Sequence, residues 1–203
     1  MFSGQQPQTI SNPKFIYPSP NIRPPVTRVA KLYPKTPRST KVTYIIVFSM
    51  RLLSQKRLLR LINWYPPFIG AGIKMTELSD DFTYCRTRLK LRWWNRNAVG
   101  TQFGGSLYAM CDPFFMLLLL QTMSAKDYII WDKAASIRFR RPGRGDVYAE
   151  FRIPLTRVEE MRREVDEAGG KKNFVFHTEV KNKEGKVIAE VEKVIYVKQK
   201  DQK

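Results

Sequence analysis

Apolar residues recur with two different periods along this 203-residue chain. Residues 50–64 place Leu52, Leu53, Lys56, Leu59 and Ile62 near helical spacing, with basic residues between them. That pattern predicts an amphipathic helix, ended by Pro66-Pro67. Such a helix can lie on a membrane surface or pack on its own domain, and packing is the expectation here. Gly70 and Gly72 predict a turn. The period then changes to two. In residues 85–93, Thr87, Leu89, Leu91 and Trp93 alternate with Arg86, Arg88, Lys90 and Arg92, which predicts a half-buried strand with one basic face. Further strands are predicted over 129–140, 145–153, 172–182 and 186–198, with a tight hairpin from Asn182 to Gly185. Residues 156–168 are polar and helix-favouring. Thr156, with Glu159 three positions on, predicts a capping box, and Gly169-Gly170 a stop.

Residues 103–120, FGGSLYAMCDPFFMLLLL, are apolar on all sides. A helix of that kind must be buried. A membrane span is disfavoured because Asp112 at its centre would cost about 2.5–3.5 kcal/mol on insertion. Gly104-Gly105 and Pro113 weaken the span further. One long buried helix wrapped by an antiparallel sheet is an α+β architecture.

Charge divides the chain as well. The net charge is +18, but the first acidic residue is Glu77, and residues 1–76 hold 12 Lys/Arg. The rest holds 24 basic and 18 acidic residues, an ordinary balance. Eight of the 13 prolines precede residue 38. Residues 1–49 therefore read as a basic, proline-rich, disordered extension of a domain spanning 50–203. The extension suits an organelle transit peptide, a nucleic-acid or membrane tether, or a stretch ahead of a true start at Met50. The apolar run at 42–50 is too short to cross a bilayer, for which about 20 residues are needed. Cytoplasm is the expected compartment, or an organelle if the extension is a transit peptide. Two cysteines and one histidine cannot build a Cys/His zinc site or a disulfide scaffold. No cofactor is implied. Trp93 and Trp94 beside the basic stripe invite base stacking, but no RNA-binding motif accompanies them, so no nucleic-acid partner is expected.

Asp112 is the residue that needs explaining. A buried acid is expensive unless paired, and a perturbed carboxyl suits acid–base chemistry. The alternative is a carboxylate satisfied by backbone donors or an arginine. Pro113 removes one helical hydrogen bond, so the helix should bend at the acid. Gly104 and Gly105 stand at the helix start, where backbone N–H groups lack partners and a substrate could approach closely. Such a place suits a developing oxyanion, or equally close helix–sheet packing. His177 reads as a packed or surface histidine, and Cys111 as a small buried apolar residue.

The run from Asn97 through Gly100-Thr101-Gln102-Phe103-Gly104-Gly105, then six residues to Asp112, resembles the signature of hotdog-fold acyl-CoA thioesterases. The phenylacetate-pathway type is most similar, with Asn, five residues, His-Gly-Gly, six residues and Asp. The layout is also similar to a hotdog branch known only as a domain of unknown function. In that branch an N-terminal helix, an Asn-x-x-Gly-Thr segment and a late turn like Arg141-Pro-Gly-Arg-Gly-Asp146 recur. The resemblance covers about residues 50–198. It implies an acyl-CoA substrate, with Asp112 as base or nucleophile, Gly104 polarising the thioester carbonyl and Asn97 orienting water or substrate. Gly105 and Phe103 would line the substrate, Phe103 replacing the family's usual His. Arg138, Arg141 and Arg144, with Arg140 nearby, are candidates for the coenzyme A phosphates. Phe114, Phe115, Met116 and Leu117 hint at a fatty or aromatic acyl group. Eight residues of helix separate Gly104 from Asp112 by about 12 Å, so one carbonyl cannot touch both within one chain. The expectation is a homodimer, or a dimer of dimers. The alternative is a non-catalytic acyl-CoA or acyl-carrier-protein binding protein. Membrane contact by the N-terminal region is not favoured.

Overall fold

Among the described residues, six antiparallel strands form one sheet in the order β1-β2-β4-β5-β6-β3. The computed structural model describes residues 54–200. The extension at 1–49, the apolar run at 42–50, and Leu52 and Leu53 of the first predicted helix lie outside the described residues.

Helix α1 (Gln55–Asn63) buries Leu58 and Ile62 and turns Lys56, Arg57 and Arg60 outward. Its last residue ties it to the sheet. Asn63 Nδ2 donates to the Met75 carbonyl at 3.0 Å, and its Oδ1 accepts from the Met75 N–H at 2.8 Å. This covers part of an edge that would otherwise be open. Pro66-Pro67 end α1 as expected but also begin a second short helix, α2 (Pro66–Ala71). Proline suits that place because the first helical N–H groups have no partner to lose. Gly72, at φ 82°, closes α2 in the left-handed conformation.

Strands β1 (Ile73–Leu78) and β2 (Tyr84–Leu89) pair next. The predicted strand at 85–93 stops at Leu89. Beyond it, side chains capture the backbone: Asp146 Oδ1 accepts from Leu91 N–H, and Asn95 Oδ1 from Arg92 N–H. Trp93 and Trp94 are consequently exposed loop residues. Strands β3 (Tyr128–Phe139), β4 (Val147–Arg152), β5 (Lys171–Asn182) and β6 (Val187–Gln199) fall within a few residues of expectation. The β5–β6 hairpin turns through Asn182–Gly185, with Gly185 at φ 76° and its N–H on the Asn182 carbonyl.

The expected single central helix is two helices, α3 (Gly104–Ala109) and α4 (Phe114–Thr122). Pro113 has no N–H to continue the ladder. Just before it the ladder tightens to three-residue steps, with Cys111 N–H on Tyr108 and Asp112 N–H on Ala109. The Met110 carbonyl at the break accepts from the buried Thr87 hydroxyl at 3.3 Å. Aromatic rings seat α4 on the sheet. Phe115 stacks on Phe176 at 4.9 Å and meets Phe151 edge-on at 5.1 Å, while Phe114 lies between Phe151 and Phe68.

The polar helix α5 (Leu155–Glu167) packs through Val158, Met161 and Val165. Thr156 is not its cap: the helix begins one residue earlier, after Pro154, and no side chain caps it. Its stop is as expected. Gly170 N–H reaches the Val165 carbonyl and Gly169 N–H the Asp166 carbonyl, both glycines at positive φ. No helix of the described residues is long and apolar enough to cross a membrane.

Candidate active site

The motif segment leading into α3 is held by its own side chains. Asn97 Oδ1 accepts from the Thr101 and Val99 N–H groups, and its Nδ2 donates to Thr101 Oγ1 at 2.9 Å and to the Gln102 carbonyl at 3.3 Å. Asn97 therefore builds the loop. Gln102, only 3% exposed, donates from Nε2 to the Leu89 and Gly145 carbonyls, and its N–H meets the Gly143 carbonyl. These bonds clamp the Asn97–Gly105 segment onto the Arg141–Asp146 turn. Gly143 permits the approach, because a Cβ there would stand 2.9 Å from Gln102 Cγ.

Phe103 precedes α3 and is exposed. Its ring lies against Gly105, where a Cβ would come within 2.5 Å of it. Gly104 lies beneath the exposed ring of Phe139 in the same way. A depression of about 410 Å³ opens here, lined by Asn97, Gly104, Phe139, Arg140 and Arg141 among others. Arg140 is engaged by Glu190 through two hydrogen bonds of 2.9 and 2.7 Å. Arg141 donates to the Val187 carbonyl. Arg138, opposite Glu190 in the β3–β6 register, and Arg144 are exposed.

Asp112 lies outside that depression. Contrary to expectation it is not buried: its side chain is 47% exposed, although Met110 and Cys111 before it are fully buried. The chain leaves its helix at this point, and the carboxylate swings out of the apolar layer. Its partner is a lysine. Lys193 on β6 is fully buried, and its ammonium donates to Asp112 Oδ1 at 2.7 Å. The Tyr108 hydroxyl donates to the same oxygen at 2.7 Å, and Asp132 Oδ1 stands 3.1 Å from the ammonium. Burial disfavours the charged Lys193, but hydrogen bonds and charge from Asp112 and Asp132 outweigh it and hold the ammonium above the usual lysine range. Burial pushes the Asp132 carboxyl up, and Lys193 only partly offsets it. Burial likewise raises Tyr108, and pushes the Cys111 thiol far up, leaving it inert.

Lys193, Asp132 and Tyr108 are absent from the sequence-level site. Lys193 had a visible signal. It occupies the inward positions of β6 with Ala189, Val191, Ile195 and Val197, a charge in an apolar row. Tyr108 is four residues before Asp112, on the same helical face. Asp132 carried a similar signal, because it continues the inward row of Tyr128 and Ile130 up to the bulge that follows it. His177 is exposed, 4.0 Å from Glu192, the surface histidine that its strand position allows.

The domain-of-unknown-function model DUF4442 matches residues 55–197. The chain belongs to this family. No curated protein matches the DUF4442 chain in sequence. Among solved structures it is similar to PA5026 from Pseudomonas aeruginosa, described as a protein of unknown function and probable thioesterase. The two are 23% identical with a TM-score of 0.66, over 73% of this chain and 97% of that one. Thioesterase HI1161 from Haemophilus influenzae is 15% identical at a TM-score of 0.53, over 72% and 92%. Thioesterase PA1618 from P. aeruginosa is 15% identical at 0.54, over 71% and 94%. At such identities the likeness fixes the fold alone. The DUF4442 domain is an α+β hotdog fold, with its central helix broken in two.

Proposed function

We propose that the domain hydrolyses acyl-CoA thioesters at a site shared by two copies of the chain. The observation that carries this reading is the setting of Asp112, a half-exposed carboxylate held by a buried ammonium at the break between α3 and α4. An acceptor fixed in place yet open to water suits a general base. Asp112 takes a proton from water as its oxygen attacks the thioester carbonyl carbon. Negative charge gathers on the carbonyl oxygen and is met by the Gly104 N–H of the other copy, at the start of α3. The carbon–sulfur bond then breaks, and the coenzyme A thiolate recovers the proton from Asp112. Asn97 assists by holding the loop that delivers Gly104.

Several features support two copies. Asp112 and Gly104 face different surroundings within one chain. Strand β3 is one of the two outer strands of the sheet and twelve residues long, and its residues from Lys133 to Phe139 are exposed among the described residues apart from Ile137. A long uncovered edge is a template for another strand. Arg138, Arg141 and Arg144 are the groups offered to the coenzyme A phosphates, with Phe103 and Gly105 against the substrate. Ala135, Ile137 and Phe139 face inward on β3 yet are not fully covered by the helices, which fits an apolar acyl chain.

A second reading, acyl-CoA or acyl-carrier binding without turnover, is favoured by Phe103. An apolar ring lies over Gly105 where the resembling thioesterases carry a histidine. Thiol release from acyl-CoAs of several chain lengths, with Asp112→Asn alongside and sedimentation analysis of both proteins, separates the readings. The expected result is turnover by a dimer, lost about 10²–10⁴-fold in the variant. Turnover that survives the substitution excludes Asp112 as base. Turnover by a monomer excludes the shared site, and tight binding without thiol release favours the second reading.

A further inference from the structure

Lys193 is chemically out of place. It is fully buried on the inward face of β6, between Phe176 of β5 and Ala135 of β3 in the sheet register. An aliphatic side chain would fill that position at lower cost, because a buried ion pair is a poor way to stabilise a core. Moreover the charges do not cancel. One ammonium faces two carboxylates, Asp112 from the helix break and Asp132 from β3. The other ionisable groups around it are Tyr108 of α3, whose hydroxyl is 3.4 Å from the ammonium, and the buried Cys111 thiol beside Asp112. The two carboxylates differ in access. Asp112 is 47% exposed and Asp132 only 20%. The arrangement therefore has one carboxylate that can meet a ligand, one that is kept back, and a cation that both share.

We propose that Lys193 is a positioning residue for Asp112, and that Asp132, the second carboxylate paired with the same ammonium, sets how strongly Lys193 holds it. Lys193 and the Tyr108 hydroxyl fix the one oxygen Asp112 Oδ1 and leave Oδ2 to receive a proton from water. Asp132 competes for the ammonium and supplies a nearby negative charge. Removing Lys193 leaves two carboxylates in one pocket, which favours a shared proton. Removing the charge of Asp132 gives Lys193 wholly to Asp112 and favours its charged form. The two changes thus drive the working carboxylate in opposite directions. A merely structural pair would lower activity alike in both variants without moving its pH dependence.

The inference rests on the proposed role of Asp112 as base, and the experiment reads the two separately. Steady-state rates on a turned-over acyl-CoA are measured across pH for the wild type, Lys193→Met and Asp132→Asn. Side-chain carboxyl carbon resonances of the same proteins are titrated by NMR, and thermal melts verify folding. In Lys193→Met the acid limb of the rate profile moves to higher pH by about 1–3 units, and kcat falls on the order of 10²-fold with KM little changed. In Asp132→Asn the limb moves to lower pH, and kcat stays closer to wild type. Carboxyl titrations shifting in the same opposite senses support the charge coupling even if no acyl-CoA is turned over, and in that case it is the thioesterase reading that fails. Turnover whose pH profile is the same in all three proteins overturns the inference and leaves the thioesterase reading standing. Carboxyl titrations that are unmoved in both folded variants overturn it whatever the activity.

Discussion

Replacing both carboxylates that touch Lys193 should cost far more than the two single replacements together. Asp112→Asn or Asp132→Asn alone leaves the buried ammonium one charged partner. Each exchanges a charge-assisted contact for a neutral one, a loss of about 1 kcal/mol. For Asp112 the loss lies at the low end, because water screens its half-exposed side chain. The double variant strands a fully buried ammonium without a counter-charge. Breaking such a pair costs about 3–5 kcal/mol. In a domain of this size each kcal/mol moves the thermal midpoint about 2–4 °C. The double variant should therefore melt about 6–20 °C below wild type, with each single variant within a few degrees of it by the same scale. Calorimetry and urea unfolding of the four proteins measure the coupling. Adding Lys193→Met to the double variant should recover most of the loss, because the unpaired charge is then gone. Additive losses, within about 0.5 kcal/mol, would refute the claim that the two acids share one buried cation.

Three further outcomes follow from particular contacts. Gly143→Ala places a methyl 2.9 Å from the buried Gln102 side chain. It should destabilise by about 1–3 kcal/mol, read by urea unfolding, whereas Gly105→Ala, which meets only the exposed Phe103 ring, should be milder. Phe115→Ala removes the ring between Phe151 and Phe176 and should cost about 3–5 kcal/mol in the same assay. The third concerns pH. Lys193 is held above its ordinary range, so the stability it contributes is complete below that range and lost as pH rises through its folded value. The thermal midpoint of the wild type should fall in strongly alkaline solution more steeply than that of Lys193→Met.

Local chemistry accounts for what was legible in the chain. Strand periodicity located β4 to β6, and β3 as far as its bulge, because each alternates a core row with an outward row there, and that contrast needs no knowledge of neighbours. Gly169-Gly170 and Asn182–Gly185 were readable because only residues tolerant of positive φ close such turns. Pro113 announced a bend at Asp112 for another local reason, its missing N–H.

The rest depended on which side chains the folded chain brings onto each backbone group or charge, some of them near in sequence and some distant. Strand β2 ends at Leu89 because Asp146 and Asn95 take the N–H groups that a longer strand would have used. Asn97 is a loop-building residue because Thr101 and Gln102 come round to its amide. Above all, the sequence determined that an acid stands in an apolar segment, but not what stands beside it. The partner is a lysine 81 residues away, brought inward by strand pairing, which also sets a second acid, Asp132, on the inward face of β3. Burial of a charge is a property of the assembled layers, since the cost of the ammonium and the pull of its two carboxylates exist only once water has been excluded from between helix and sheet.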